Sequence, residues 1–424
     1  MLQINVIREE KDRLLAALNK RGMKEAPQWI EQAIALDRQR RETQQQNDDL
    51  LAQANALARE IGKLMKAGER EEAERVKEKT AVLKKDSALL TARLAATEEE
   101  LKKVLYLIPN APHEKVPAGG GAEQNITVCQ HGPLPQLHDQ ALPHWELIKK
   151  YDIIDFDLGN KISGAGFPVY KGKGARLQRA LINFFLDNAT RQGYVEVQPP
   201  IVVNEESGYG TGQLPDKEGQ MYHITDDNLY LIPTAEVPLT NLYRDVILPE
   251  EELPVYNVGY TPCFRREAGS WGAHVRGLNR LHQFDKVEIV QVRKPDESYA
   301  ALEEMCAYVQ SLLEMLELPY RKLLLCGGDL GFNAAMTYDM EVYAAAQKRW
   351  LEVSSVSNFE AFQANRLRLR MKTKAGKVQL LHTLNGSALA LPRIVACLLE
   401  NNQSDKGIQI PKALVPYTGF DRIA

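Results

Sequence analysis

Cysteine, net charge and long apolar runs are all scarce in this sequence, and each scarcity excludes a class of protein. The five cysteines of the 424-residue chain stand singly, without a CxxC pair or the Cys/His spacing of a zinc finger. Neither a disulfide-stapled fold nor a zinc-ribbon fold is therefore predicted. The formal net charge of −3 gives no overall attraction to nucleic acid, so any RNA contact must use local basic patches.

The sequence also lacks the features that direct a chain to a membrane. No apolar run approaches the ~18–20 residues that span a bilayer. The N-terminus, MLQINVIREEKDRLL, lacks the basic, apolar and small-residue order of a signal peptide. We therefore expect a cytoplasmic protein with reduced thiols and no membrane partner. The eight histidines show no catalytic-triad or metal-ligand spacing.

Proline is absent between Pro27 and Pro109, where charged residues, Gln, Ala and Leu dominate. Candidate core positions recur there in steps of three and four, as in a coiled-coil seam. They are residues 50, 54, 57, 61 and 64, followed by 73, 76, 80, 83, 87, 90, 94, 97, 101 and 104. Gly68 separates the two sets and is typical of a helix end. We predict two antiparallel helices, each on the order of 50 Å long, forming an arm over residues 30–104.

The residues of this arm leave two interpretations open. Its charges nearly cancel, which suits a solvated structural or dimerising coiled coil. A rigid arm that reaches an RNA backbone would instead need its basic residues on one face. Those residues are Arg38, Arg40, Arg41, Lys63, Lys84, Lys85 and Arg93.

A stretch rich in proline and glycine follows the arm and predicts a linker over residues 111–135. Residues 136–424 are then enough for one large core. Helical patterns at residues 175–192 and 296–316 alternate irregularly with short β-rich runs. This arrangement favours an α+β domain built on a mostly antiparallel sheet.

The segment Tyr260–Val290 carries the densest set of functional side chains. It predicts two strands around a polar loop, with Phe264–Glu267 (FRRE) at the end of the first strand. The second strand carries Arg280, Phe284 and Glu288 at a spacing of four. Cationic, aromatic and anionic groups on one hairpin suit a ligand that is anionic, flat and partly cationic, such as ATP beside an amino acid.

Two other segments are candidates for binding an anion. At Asn385–Arg393 a predicted strand leads into a helix with an arginine at the junction, which suits an anionic group. Lys171–Gly174 also precedes a helix, but it does not match GxxxxGK[ST]. It therefore predicts a helix start rather than a phosphate loop.

Taken in order, these motifs resemble the signatures of the seryl-tRNA synthetases, a family of class II aminoacyl-tRNA synthetases. The three class signatures correspond to Arg191–Pro200, to Tyr260–Val290 and to Asn385–Arg393. The triplet Thr234-Ala235-Glu236, the motifs GYGTGQLP and EVSSVSN, and the helical arm narrow the resemblance to the seryl enzymes. It covers essentially the whole chain and implies the antiparallel catalytic fold of that class.

The resemblance also implies the organisation and the reaction. Residues 1–110 would form a tRNA-binding domain whose arm holds tRNA(Ser), and residues 136–424 would form the catalytic domain of a homodimer. Serine would attack the α-phosphorus of ATP, giving seryl-adenylate and pyrophosphate, and would then pass to the 3′-terminal adenosine of tRNA(Ser), or of tRNA(Sec) where present. Neither step needs an enzyme nucleophile, so catalysis rests on positioning and electrostatic stabilisation.

By the same resemblance, Arg265 bridges the serine carboxylate and the α-phosphate, and Arg393 holds the γ-phosphate; these are the implied catalytic residues. Glu267 meets the adenine amino group and Phe284 stacks on the purine. The full implied ATP set is Arg265, Arg266, Glu267, Phe284, Glu352, Val353, Ser354, Ser355 and Arg393. Of these, Glu352 and Ser355 are the implied Mg²⁺ ligands, hard oxygens for a hard cation.

Selection of serine over alanine predicts a polar pocket. Size alone discriminates by roughly 10–200-fold per methylene, whereas a site that hydrogen-bonds a hydroxyl rejects its absence by roughly 10⁴–10⁵. We assign Glu288 and Ser387 to the side-chain end, and Thr234 with Glu236 to the amino end. The implied serine set is Thr234, Ala235, Glu236, Arg265, Glu288, Asn385 and Ser387.

Two alternative functions remain to be tested. An enzyme that activates serine but loads a carrier protein would resemble the catalytic part and lack a long arm. A non-catalytic relative would lose the signature arginines, yet Arg265 and Arg393 are both present.

Overall fold

The structure is a computed structural model that describes residues 1–216, 219–267 and 276–424. It divides into two compact units. The smaller unit comprises residues 2–19 and 23–109, and the larger comprises residues 1, 20–22 and 110–424. Within the described ranges, none of the helices combines the length and the apolar character needed to cross a membrane.

The smaller unit is helical. Its helices are α1 Ile4–Glu9, α2 Lys11–Asn19, α3 Ala26–Ala67 and α4 Arg70–Leu107. A two-residue connection joins α3 to α4, so the two long helices run antiparallel. Gly68 ends α3 in the left-handed conformation at φ 82°, where its N–H donates to the carbonyls of Leu64 and Met65. The predicted helix pair is confirmed, and at 1.5 Å per residue each helix is roughly 60 Å long.

The predicted seam lies on the inward sides of α3 and α4. Its buried members are Ala54, Ala73, Val76, Thr80, Ser87, Thr97, Leu101 and Val104. The other predicted seam residues are half-buried. The basic residues named above are exposed, except Arg40, which is half-buried and pairs with buried Asp37 at 3.0 Å.

A polar layer interrupts the seam near its middle. The buried Asn47 side chain accepts a hydrogen bond from Ser87 Oγ at 2.7 Å and donates to Thr91 Oγ1 at 3.3 Å. A single buried asparagine paired across two helices fixes their register, because any slip would leave its amide without partners.

The larger unit contains an eight-stranded sheet in the order β1-β11-β12-β13-β16-β10-β9-β4. All its pairings are antiparallel except that of β4 with β9, which confirms the predicted α+β class. The strands of the larger unit, including those of its smaller sheets, are β1 Ile126–His131, β2 Ile154–Asp155, β3 Val169–Tyr170, β4 Val195–Glu196, β5 Val202–Asn204, β6 His223–Ile224, β7 Leu229–Leu231, β8 Ile247–Pro249, β9 Val255–Phe264, β10 Gln283–Arg293, β11 Tyr320–Leu324, β12 Met336–Ala344, β13 Arg349–Asn358, β14 Arg370–Lys372, β15 Val378–Leu380, β16 His382–Ala390, β17 Gln403–Ser404, β18 Gly407–Gln409 and β19 Arg422–Ile423.

Helices pack on both faces of this sheet. The helices are α5 His144–Lys150, α6 Phe156–Ile162, α7 Gly172–Arg191, α8 Glu205–Thr211, α9 Glu236–Asn241, α10 Ser298–Met315, α11 Ala361–Leu367, α12 Leu391–Asn401 and α13 Val415–Thr418. Helix α7 packs on β9 and β10, and α10 packs on β13 and β16. Because side chains alternate along a strand, Val287 and Ile289 of β10 enter the core while Lys286 and Glu288 point to the opposite face.

The linker prediction is wrong for residues 126–131, which form the edge strand β1. This strand pairs antiparallel with β11, with Ile126 opposite Leu324 and His131 opposite Tyr320. All six of its side chains are exposed, so no burial on one face imposes an alternating sequence pattern. A strand whose side chains are all exposed gives sequence analysis little to detect.

Candidate active site

A cavity of about 580 Å³ opens on the face of the sheet that carries Lys286 and Glu288. Residues of β10, β12, β13 and β16, the segment after β9 and the first turn of α12 line it. All the site residues predicted above line this cavity except Ala235 and Arg266. The order β12-β13-β16-β10 therefore brings together residues that lie far apart in the sequence.

Glu288 is the fully buried acceptor at one end of the cavity. It lies opposite Ser387 in the β10–β16 pairing, which places both side chains on the same face. Asn385 Nδ2 donates to Glu288 Oε1 at 2.6 Å. The Thr234 and Ser387 hydroxyls donate to Glu288 Oε2 at 3.4 and 3.5 Å. Four of the predicted serine-binding residues thus form one hydrogen-bonded cluster.

Glu236 provides a second buried carboxyl group beside this cluster. Its Oε1 accepts a hydrogen bond from Gln363 Nε2 at 2.6 Å, and Gln363 Oε1 accepts one from Thr383 Oγ1 at 2.7 Å. Burial, and then repulsion from Glu288, raises the pKa of Glu236 to about 7. A carboxyl group balanced between its two forms can bind a cationic amine, which would favour the ionised form.

Arg265 lies just beyond the end of β9, half-buried at the wall of the cavity. Its Nε donates to the Pro233 carbonyl at 3.4 Å, and its guanidinium lies 5.2 Å from the centre of the Phe284 ring. Glu267, two residues on, has a positive φ of 49° and forms an ion pair with Arg280. A cation, an aromatic face and a carboxylate therefore border the same space, as the hairpin motif predicted.

Arg393 lies in the first turn of α12 and reaches across to two other segments. Its Nε donates to the Asn279 carbonyl at 3.2 Å, and its Nη1 donates to the Glu352 carbonyl at 2.6 Å. The same Nη1 lies 3.5 Å from the Glu352 carboxylate. These contacts aim a half-exposed guanidinium along the cavity wall, where it can bind an anionic group.

Glu352 and Ser355 on β13 line the cavity with a third oxygen group, Asp339 of β12. Asp339 lies opposite Ser355 in the strand pairing and accepts a hydrogen bond from it. Burial, and then the charge of Glu352, raises the pKa of Asp339 well above its usual range. Asp339 Oδ1 is buried without a hydrogen-bond partner among the described residues. Two neighbouring carboxyl groups and a hydroxyl, with one oxygen unsatisfied, fit a hard divalent cation.

Two predicted site residues lie away from the cavity, and part of one predicted loop cannot be placed. Ala235 is fully buried and packs with Leu239 and Val290. Arg266 is exposed, and its guanidinium lies 5.9 Å from the centre of the Tyr222 ring. Their predicted ligand contacts remain predictions. The family resemblance implies that the loop over residues 268–279 meets the tRNA acceptor end, and residues 268–275 of this loop lie outside the described residues.

Sequence analysis missed two residues that line the cavity and one residue that supports a lining residue. Lys286 interrupts an apolar strand two residues from Phe284 and from Glu288, and this two-residue spacing was a usable signal. Asp339 required knowledge of the β12–β13 register. Gln363 supports Glu236 from α11, and nothing in its local sequence indicates that contact.

Comparison with known families agrees with the geometry. Residues 1–112 match the family model of the seryl-tRNA synthetase N-terminal domain. Residues 222–402 match the class II tRNA synthetase core domain shared by the Gly, His, Pro, Ser and Thr enzymes. The chain is 49% identical to the serine–tRNA ligase of Salinibacter ruber over 425 aligned positions, covering 100% of this chain and 99% of that protein. It is 45% identical to the enzyme of Chlorobium phaeobacteroides, with the same coverage.

Solved structures give the same result. The seryl-tRNA synthetase of Pyrococcus horikoshii, solved in complex with ATP, superposes with a TM-score of 0.93 at 33% identity, covering 100% of this chain and 99% of that one. The cytoplasmic serine–tRNA ligase of Naegleria fowleri, in complex with AMP, superposes with a TM-score of 0.85 at 26% identity, covering 100% and 98%. The chain belongs to the seryl-tRNA synthetase family of class II aminoacyl-tRNA synthetases.

Proposed function

We propose that this chain is a serine–tRNA ligase that activates L-serine with ATP and transfers it to tRNA(Ser). The observation that carries the proposal is the convergence of the second and third class II signatures, Tyr260–Val290 and Asn385–Arg393, on one cavity in a chain that matches serine–tRNA ligases along its whole length. A cavity of about 580 Å³ lies within the range of small-ligand sites.

The first step needs charge stabilisation rather than a nucleophilic side chain. Arg265 would hold the serine carboxylate against the α-phosphate, because a guanidinium can bind two anionic oxygens with parallel N–H groups. Arg393, which also lines the cavity, would bind the γ-phosphate of the leaving pyrophosphate. Phe284 would stack on adenine and Glu267 would accept from its amino group. These roles fix the reacting atoms in line and stabilise the charge that develops on phosphorus.

Mg²⁺ is the metal that the family and the oxygen ligands favour. Glu352 and Ser355 would hold it, and Asp339 would orient the Ser355 hydroxyl through their hydrogen bond. When bound, the cation neutralises charge on the phosphate oxygens.

Serine would bind at the acidic end of the cavity. Glu236 would pair with its ammonium group, and the Glu288 cluster would accept its side-chain hydroxyl. The presence of several donors and acceptors at this end supports discrimination by hydrogen bonding rather than by size.

The remaining proposals concern the whole enzyme. Residues 1–110 would bind tRNA through the arm, residues 136–424 would catalyse both steps, and the protein would act in the cytoplasm. The protein would be a homodimer, with Arg191–Pro200 in the interface. The edge strand β4, where Val195 is 62% exposed, is consistent with a surface that a second copy covers.

The proposal is tested by ATP–pyrophosphate exchange with each of the twenty amino acids. We expect exchange with serine alone at physiological concentrations, and exchange that depends on a different amino acid would refute it. Charging of purified tRNA(Ser) then separates this function from the carrier-protein alternative, for which charging should be absent. A non-catalytic relative would show neither activity.

A further inference from the structure

Lys286 is a buried cation at the centre of the proposed serine site. Its side chain is 7% exposed, and its Nζ lies 2.5 Å from Glu288 Oε2 and 2.7 Å from Thr234 Oγ1. A buried ion pair of this kind is rarely more stabilising than well-packed apolar residues of similar volume. Its position between two groups that face the cavity points to a role in binding.

The hydrogen bonds around Lys286 fix the direction of the neighbouring hydroxyl group. Thr234 Oγ1 accepts from Lys286 Nζ at 2.7 Å and from the Glu236 backbone N–H at 3.3 Å. Both of its lone pairs are thereby engaged, so its own proton is left to donate to Glu288 at 3.4 Å. The ammonium thus determines which way the Thr234 hydroxyl points.

The same ammonium sets the charge balance at the acidic end of the cavity. Glu236 and Glu288 are both buried there and repel each other. Pairing with Lys286 offsets the charge of Glu288, whereas Glu236 is bonded to the neutral amide of Gln363. A carboxylate paired in this way only accepts hydrogen bonds, so the hydroxyl of a bound amino acid must donate to it.

We propose that Lys286 is a positioning residue for serine selection: by pairing with Glu288 and fixing Thr234, it makes the pocket an acceptor for a side-chain hydroxyl. This inference rests on the proposed serine activation. Serine and alanine share any effect of Lys286 on the nearby carboxyl group of Glu236, whereas only serine has a hydroxyl that can donate to Glu288. Removing Lys286 should therefore lower kcat/KM for serine more than kcat/KM for alanine.

The test compares kcat/KM for serine and for alanine in pyrophosphate exchange by Lys286→Met. Discrimination by a hydroxyl-binding site is roughly 10⁴-fold or more, and we expect the serine-to-alanine ratio to fall by about 100-fold. The matched control is Lys322→Met. Lys322 is also 7% exposed in its side chain and pairs with Glu303 at 2.7 Å, but it lies on β11 outside the cavity lining. Its loss should leave the ratio unchanged.

A double variant separates action through Glu288 from direct contact with the substrate. If Lys286 acts through Glu288, Lys286→Met combined with Glu288→Gln should change the ratio no more than Glu288→Gln alone. Lys286→Arg keeps the charge and serves as a control for a folding defect in Lys286→Met. This variant should keep most of the wild-type serine-to-alanine ratio of kcat/KM. Equal losses for serine and alanine in Lys286→Met would overturn the proposal. Absence of serine activation in the wild-type protein would instead refute the proposed function.

Discussion

Glu236 is a buried carboxyl group whose surroundings disfavour its ionised form, the form that could pair with the ammonium group of a substrate. It is buried, a second carboxyl group lies nearby, and its pKa is raised to about 7. The hydrogen bond from Gln363 and the charges of Lys286 and Arg265 lower the pKa, but they do not cancel the effect of burial. The ammonium group of a bound amino acid would complete this balance.

Serine binding should therefore weaken as the pH falls through 7. Protonated Glu236 is neutral and cannot pair with an ammonium group, and only about a tenth of the residue is ionised at pH 6. Since apparent affinity scales with the competent fraction, KM for serine at pH 6 should be about tenfold higher than at pH 8. Initial rates of pyrophosphate exchange at saturating ATP measure this effect.

Glu236→Gln is the control for this pH dependence. The amide does not titrate, so this variant should bind serine weakly with a KM that is flat between pH 6 and pH 8. KM for ATP in the wild type should change by less than about twofold over that range, since Glu236 is assigned to serine. A flat serine KM in the wild type would contradict the assignment of Glu236 to the amino group.

Arg265 and Arg266 are adjacent arginines with different surroundings, and they form a natural pair for mutagenesis. Arg265 lines the cavity beside Phe284, whereas Arg266 is exposed beside Tyr222. Arg265→Ala removes the permanent charge that we propose to bind the reacting phosphate, so we expect kcat for serine-dependent exchange to fall by at least about 10²–10³-fold. Arg266→Ala should have a much smaller effect.

The unfolding transition of each arginine variant supplies the necessary check on folding. Neither side chain is fully buried. We therefore expect the free energy of unfolding of each variant to lie within about 1 kcal/mol of the wild-type value. Near-normal exchange by Arg265→Ala would remove this residue from the catalytic set. Equal and large losses in both variants would show that Arg266 also binds ATP.

At the scale of elements, sequence analysis succeeded where one strong pattern covers many residues. The seam of α3 and α4 repeats over tens of residues, and its predicted members are buried or half-buried. Strand β1 has six exposed side chains and no such pattern, so it was taken for a linker. The strand that bears Lys286 was predicted, whereas the strand that bears Asp339 was not. The cross-strand partners of both residues could not be predicted, because register depends on the whole sheet.

The polar layer of the arm gives a prediction about α3 and α4. Ser87→Ala removes the hydroxyl that donates to Asn47 Oδ1, leaving a buried acceptor with one fewer partner. A buried polar group that loses its partner costs about 1–3 kcal/mol, so the arm should open more readily by that amount. Hydrogen exchange of the arm amides in the full-length protein measures the change.

Lys84→Ala is the control for this experiment, since Lys84 is exposed on the same helix three residues away. The free energy of opening obtained from amide exchange in Lys84→Ala should match that of the wild type within about 0.5 kcal/mol. Exchange rates in Ser87→Ala equal to those in the control would mean that the polar layer contributes nothing measurable to arm stability.

At the scale of the whole molecule, the site is a product of chain topology. The cavity draws on residues from Gln213 to Arg393, and the strand order brings the distant ones together. Composition and periodicity predicted the fold class and the arm. The grouping of residues into one site came from the family resemblance, because no local pattern specifies which distant strands become neighbours.

The two compact units predict that the two steps of the reaction can be separated. Deleting residues 30–104 removes most of the smaller unit and leaves every cavity residue in place. Serine-dependent pyrophosphate exchange should then stay within about threefold of the wild type, because the cavity lies in the larger unit. Charging of tRNA(Ser) should fall by orders of magnitude, because an arm that contacts many phosphates supplies much of the RNA affinity.

A shorter deletion distinguishes lost RNA contacts from a damaged domain. The longer deletion also removes buried Ile30, which lies on α3, the helix that α1 and α2 pack against. A shorter variant lacks only residues 51–86 and joins the ends through a short glycine linker. It keeps Ile30, the start of α3 and the Asn47–Ser87 layer. If the arm reads RNA, this protein should retain exchange and lose charging as the longer deletion does. Normal charging by the shorter deletion would leave the distal arm with a purely structural role, the alternative that its nearly balanced charges left open.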